Sequence, residues 1–166
     1  MKKFERVLFL DFDGVLHPTI AIRGAKPPLS PEQILTGWPK TFEHVPILEN
    51  LLKGFDDVSI IASTSWRIFF NDEQLGRFFP SLSRFYEGSI GSPCMGRAEA
   101  INNWVKDNKP KDFAILDDKC ENFPGYWPNL ILCRSELGIL EQRVQLSLLR
   151  WLNSETGLSQ IDAHDT

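Results

Sequence analysis

A parallel α/β domain is the fold class this sequence predicts, on three observations. Short apolar runs bounded by polar or turn residues recur along the chain, stretches with helical potential separate most of them, and two of the runs lead straight into pairs of carboxylates. The first two observations are the pattern of strands joined by helical crossovers. The third fits the carboxyl ends of parallel strands, where sheets of this kind bind their ligands.

Taken in order, Val7–Leu10 reads as the first strand, Val58–Ala62 as the second, Arg84–Glu87 as a less apolar third, Phe113–Leu116 as the fourth and Leu130–Cys133 as the last. Residues 97–108 carry Ala100, Ile101, Trp104 and Val105 at i, i+1, i+4 and i+5, which predicts an amphipathic helix. Residues 136–153 predict another, with Leu137, Leu140, Val144, Leu148 and Trp151 on one stripe. Segments 43–54 and 71–79 read as helices too, the first ending at Gly54. Between His17 and Lys40 the chain turns rich in Pro and Gly and loses its periodicity. That excursion has room for one helical turn over Pro31–Leu35, with Ser30 as N-cap and proline at the first helical position. No internal repeat is present. Residues 1–153 read as one domain and 154–166 as a tail prone to fraying.

With 166 residues, 42% of them apolar, the chain can bury an ordinary single core. Nothing in a net charge of −4 and a pI near 5.4 points to a body built to coat nucleic acid, and a local basic groove stays open. Cys94, Cys120 and Cys133 are odd in number and lack a C-x-x-C pair, against both a disulfide framework and a cysteine zinc site. Lys2 and Lys3 precede an apolar stretch as in a signal peptide, but Asp11 and Asp13 interrupt it at once. No stretch approaches a membrane span, so the expectation is a cytoplasmic protein with no membrane partner. Oligomeric state is not encoded in any pattern here.

The chemistry is concentrated at the strand ends. Asp11 and Asp13 follow the first strand, and Gly14 permits a sharp turn after them. Two carboxylates in such a place repel each other and lose hydration, a cost that a cation between them relieves. A solvated acidic turn is the plain alternative. Asp117-Asp118 repeats the feature after the fourth strand, so that if the two strands are neighbours four carboxylates converge. Hard oxygen donors without clustered histidines suit Mg²⁺ rather than zinc or copper. At the end of the second strand, Ser63-Thr64-Ser65-Trp66-Arg67 offers hydroxyls and a guanidinium to a phosphate, or equally a helix cap. Arg97 opens a helix, where the macrodipole disfavours a cation. A role facing phosphate and carboxylates explains it, and an ion pair with Glu99 or Glu121 is the alternative.

In this order the four features resemble the motif series of the haloacid dehalogenase-like (HAD) superfamily of phosphohydrolases. Asp11-x-Asp13-Gly-Val looks like its first motif, Ser63-Thr64 its second, Arg97 its third and Asp117-Asp118 its fourth. The phrases Gly14-Val-Leu-His17-Pro18, Ser65-Trp66-Arg67, Ile115-Leu-Asp-Asp118 and Leu137-Gly-Ile-Leu140 are similar to a small subgroup of HAD domains in predicted RNA-repair proteins. The resemblance implies a three-layer Rossmann-like fold, with five parallel strands, helices on both faces and a minimal cap or none. It also implies a Mg²⁺-dependent phosphomonoester hydrolase. Asp11 would be the nucleophile, Asp13 the general acid and base, Thr64 in preference to Ser63 the phosphate holder, and Arg97 the cation that neutralises developing charge. Mg²⁺ would be held by Asp11, the Asp13 carbonyl and Asp118, with Asp117 in support. The third motif is more usually lysine, and arginine keeps the charge but changes the geometry. The presence of Asp13 favours a phosphatase over the dehalogenases.

Rival readings differ in order or in completeness. A receiver domain places its acidic pair first and ends on lysine, the reverse of this chain. Gly91–Arg97 has the spacing of a P-loop without its lysine and hydroxyl. A non-catalytic interaction module would tolerate losses that the four motifs do not show. Ser63, Ser65, Arg67 and His17 are the expected substrate contacts, and Trp38 is a candidate to face a base. The short stretches between motifs leave little for a cap. An open site suits a nucleotide or a nucleic-acid end, with Arg67, Lys26 and Arg23 near flanking phosphates. A small-metabolite phosphatase is the alternative if residues 17–40 fold down as a lid.

Overall fold

The computed structural model describes residues 2–19, 24, 26 and 29–154. Its centre is one sheet of five strands: β1 (Arg6–Leu10), β2 (Val58–Ala62), β3 (Tyr86–Ser89), β4 (Asp112–Asp117) and β5 (Leu130–Leu132). They run in the order β3-β2-β1-β4-β5, each neighbouring pair parallel. All five residues of β1 are buried, as expected of a parallel strand covered on both faces. The pleat divides them. Leu8 and Leu10 join Ile60, Ala62, Ala114 and Leu116 in one core, while Val7 and Phe9 join Ile61 and Ile115 in the other.

Helices fill both sides. The first core is closed by α1 (Pro31–Gly37), α2 (Val45–Leu52), α3 (Asp72–Gly76) and α5 (Gln142–Leu152) through Ile34, Leu48, Leu75, Val144 and Leu148. The second is closed by α4 (Arg97–Asn108) through Ala100 and Ile101, with Trp104 and Val105 packed alongside. The result is the expected three-layer Rossmann-like arrangement. Local chemistry explains two of the helix starts: Ser30 with Gln33 at α1, and Asn71 with Gln74 at α3, form complete capping boxes. Glu32 and Arg77 tie α1 to the end of α3. Among the described residues, the inserts after β1 and β2 therefore pack on the body and add no second sheet. No helix among them is long and apolar enough to cross a membrane.

Among the boundaries that differ from the expectation, three have a cause in named contacts. The third strand begins at Tyr86 because the turns Phe85 N–H to Leu82 and Tyr86 N–H to Ser83 hold the chain until then, and β2 meets it across a register shift after Ile60. The helix expected over 71–79 covers only Asp72–Gly76; turns carry the chain on from there to a separate short turn, Pro80–Leu82, that Pro80 starts. The last helix begins at Gln142 rather than 136. Gly138 has φ +53° and lies so close to β1's loop that a Cβ would sit 2.3 Å from the Val15 carbonyl oxygen, while Ile139 N–H donates to that same oxygen at 3.0 Å. Leu137 and Leu140 are accordingly exposed, and the buried stripe is Val144, Leu148 and Leu152. Most of the tail after Asn153, and residues 20–23, 25, 27 and 28 of the Pro-rich excursion, fall outside the described residues.

The amino end of the sheet is closed by an ion pair. Arg6 donates to both carboxylate oxygens of Asp57 at 2.6 and 2.7 Å and to the Leu152 carbonyl, with the rings of Phe55 and Trp151 over its guanidinium. Beside it, Asp112 accepts from Trp151 Nε1 at 3.0 Å.

Candidate active site

Register alone assembles the carboxyl end. Leu10 pairs with Ala62 on one side and Leu116 on the other. The ladder continues for one more bond each way: Asp11 N–H donates to Leu116 and Ser63 N–H to Leu10. Asp11 thus stands between Ser63 and Asp117. The condition on which the carboxylates converge, that the first and fourth strands be neighbours, is met, and β2 flanks β1 on its other side.

Asp11, Asp117 and Asp118 each offer a carboxylate oxygen within 4.8 Å of the other two. Their surroundings differ. Asp11 accepts from Phe12 N–H at 2.8 Å and from Arg97 at 2.8 Å. Asp117, fully buried, accepts from Arg97 and from Lys119 N–H at 2.9 Å. Asp118 accepts from Ser135 Oγ at 2.8 Å through one oxygen, while its other oxygen, Oδ1, is buried and has no partner. Gly14 makes room for this carboxylate: it has φ +71°, and a Cβ there would lie 2.1 Å from Asp118 Oδ2. Burial pushes the Asp11 carboxyl up to about 8, against the pull of Arg97, and it raises that of Asp117 against the same partner. Arg97 is ion-paired with two of the three carboxylates, and among the described residues no cation is paired with Asp118. The donor set, all oxygen with one buried acceptor left over, fits a hard divalent cation.

The second strand end carries the hydroxyls. Thr64 Oγ1 accepts from Trp66 N–H at 3.2 Å, capping the short turn Ser65–Ile68. Ser63 is also fully buried, but its Oγ has no partner. Ser65 is exposed. Arg67 reaches back to the Thr64 carbonyl at 2.7 Å and across to Met95 at 3.4 Å, leaving Nε buried and unpartnered. Burial, and then the nearby Arg97, push its guanidinium below the ordinary value. Lys26 is exposed, and Arg23 lies outside the described residues.

Asp13 and His17 form a separate group. The Asp13 carboxylate, partly exposed, lies 2.7 Å from Trp66 Nε1 and 3.0 Å from His17 Nε2. His17, read from sequence as a substrate contact, has no exposed surface; the turn Asp13–His17, closed by Gly14 N–H to the His17 carbonyl, folds its ring under the site. Sequence reasoning also missed Ser135, which lies beyond the last strand, and the indole of Trp66, although Trp66 stood inside a quoted motif.

A family model described as HAD domain in Swiss Army Knife RNA repair proteins matches residues 7–144, and no curated protein or solved structure matches. At the level of class, the match supports a phosphohydrolase.

Proposed function

The chain belongs to the HAD domains of Swiss Army Knife RNA repair proteins, and from that premise we propose a Mg²⁺-dependent phosphomonoesterase that works through an aspartyl phosphate on Asp11. The observation that carries the reading is the convergence of Asp11, Asp117 and Asp118, with one buried Asp118 oxygen lacking a partner. Asp11, the Asp13 carbonyl and Asp118 would hold the ion, with Asp117 in support. Bound there, it supplies positive charge to a phosphoryl group.

The residues divide the remaining work. An Asp11 oxygen attacks phosphorus, and the bond to the leaving oxygen breaks with its electron pair while Asp13 gives that oxygen a proton. Asp13, now a carboxylate, takes a proton from water as the water oxygen attacks phosphorus. The bond to Asp11 then breaks, restoring the carboxylate and releasing phosphate, and Asp13 is again protonated. Arg97 brings a fixed cation to the phosphoryl oxygens. The Ser63 hydroxyl, buried without a partner, is our preferred donor to a phosphate oxygen; the Thr64 hydroxyl accepts from Trp66 N–H and keeps its own hydrogen to give.

The substrate class we propose is a nucleotide or a nucleic-acid end. Arg67 stands beside the carboxylates with an uncommitted Nε, exposed Ile68 and Phe69 follow it, and the inserts pack on the body. The family's description as a domain of RNA repair proteins agrees with this. Turnover of an aryl phosphate with Mg²⁺, and its loss in EDTA, tests the reaction; undiminished activity in EDTA contradicts it. Comparing kcat/KM for a 3′-phosphorylated oligonucleotide, a mononucleotide and a sugar phosphate tests the substrate, and a large preference for the sugar phosphate would reject the open-site reading.

A further inference from the structure

Beneath the site lies a box of aromatic rings whose polar edges all lead to one carboxylate. His17 and Trp66 are 0% and 6% exposed and sit among Phe12, Phe42 and Phe78, with Trp66 4.9 Å from Phe78 and 5.4 Å from Phe42, both edge-on. Polar hydrogens in such a box need acceptors. Trp66 can only donate, and its Nε1–H points to Asp13 Oδ2 at 2.7 Å. For His17 the tautomer follows from its other partner. Nδ1 receives the backbone N–H of Phe42 at 3.2 Å, so Nδ1 carries no proton and the ring's hydrogen resides on Nε2, 3.0 Å from Asp13 Oδ1.

The Phe42 N–H is aimed there by a backbone that phenylalanine rarely adopts, φ +60°. The turn around it is held by Val45 N–H to the Phe42 carbonyl and by His44 N–H to the Leu16 carbonyl, the latter tying it to the β1 loop itself. The ring stacks on Phe78 at 4.9 Å. Backbone strain of this kind persists where surrounding contacts over-determine it, and it clusters at functional sites.

We infer that His17 and Trp66 are positioning residues: a two-point clamp that holds the Asp13 carboxyl in the orientation from which it passes its proton to the leaving group. The inference rests on the reading of Asp13 as the acid. Each Asp13 oxygen commits one lone pair to the clamp and keeps a second for the travelling proton. A free carboxyl would turn about its last bond. One gripped through both oxygens, from two different loops, has one presentation. The Phe42 backbone extends the clamp into the segment before α2, so residues far from the chemistry in sequence set the aim of the acid.

A merely structural role for the two N–H groups, satisfied by whichever acceptor lay near, makes a different prediction about leaving groups. Phosphoryl transfer from dinitrophenyl phosphate expels a weakly basic phenolate that needs no proton, whereas an alkyl phosphate needs the acid. The test is kcat/KM on both esters for the wild type, Trp66→Phe, His17→Gln, His17→Ala and Asp13→Asn. Their ratio within one preparation cancels any difference in the folded fraction. Trp66→Phe keeps a ring in the box and removes only the indole and its donor. It should lose about tenfold on the alkyl ester, and no more than about twofold on dinitrophenyl phosphate, with KM unchanged. His17→Gln, which can still present an N–H near Nε2, should retain more alkyl-ester activity than His17→Ala. If Asp13→Asn shows the leaving-group preference and Trp66→Phe does not, the clamp is overturned while the acid stands. If Asp13→Asn itself loses equally on both esters, the reading of Asp13 as acid falls and the clamp with it.

Discussion

The two ends of the sheet carry the same kinds of residue and put them to opposite uses. At the amino end, Arg6 meets Asp57 through two hydrogen bonds and a carbonyl through a third, and the Asp57 carboxyl is held below its ordinary value by that pairing. At the carboxyl end, one guanidinium, that of Arg97, is divided between Asp11 and Asp117. A third carboxylate keeps a buried oxygen without a partner, and the Asp11 carboxyl is pushed up by its burial. Complete pairing at one end is what stability asks of buried charge, whereas a deficit of positive charge at the other is what a site awaiting a cation and a phosphate looks like. The contrast separates residues that hold the fold from residues that the fold holds at a cost.

Charge removal should therefore have opposite consequences at the two ends. Asp11→Asn should reduce kcat by about four orders of magnitude or more, because no neighbour can replace a nucleophile. In EDTA the same variant should melt no lower than the wild type, since it discards a carboxylate whose charge burial opposes. A large fall in melting temperature would erase the distinction between the ends. Arg6→Met should do the reverse: a loss of about 2 to 4 kcal/mol in denaturant unfolding, with kcat per folded molecule within about twofold. The figure is kept below the full range for a buried pair because Asp57 is partly exposed and retains water.

Ser135→Ala sharpens the comparison from within the site. It leaves all three carboxylates and removes only the hydroxyl that orients Asp118. Apparent Mg²⁺ affinity, read by titrating the ion against activity, should fall about tenfold, with kcat at saturating Mg²⁺ little changed. An unaltered titration would mean that Asp118 needs no orientation or does not meet the ion.

How much of this was legible before the structure follows from the range of each interaction. The strands were readable because a parallel sheet buries β1 on both faces, so Val7–Leu10 must be apolar throughout. Asp11, Arg97, Asp117 and Asp118 were readable because strand and helix ends place the residues that follow them, and parallel register did the rest. What failed depended on contacts between distant segments. The start of α5 was misplaced because Gly138 docks on Val15, which periodicity within 136–153 does not contain. His17 was read as facing substrate from its nearness to Asp11 in sequence. A tight turn from Asp13 to His17, and a backbone donor from Phe42, instead enclose it. Two adjacent hydroxyls do not reveal which one a local turn engages: Thr64 Oγ1 accepts from Trp66 N–H, and Ser63 Oγ is left without a partner.

The central claim is that the unbalanced end of the sheet transfers a phosphoryl group to Asp11, and trapping that group tests it most directly. The wild type, mixed with Mg²⁺ and an aryl phosphate labelled in its phosphoryl group, would be quenched in acid within the first turnover and digested. Label on the peptide containing Asp11, released by hydroxylamine as an acyl phosphate is, and absent from Asp11→Asn, is the predicted result. Full turnover with no label retained on the protein, or label on a residue other than Asp11, would contradict it.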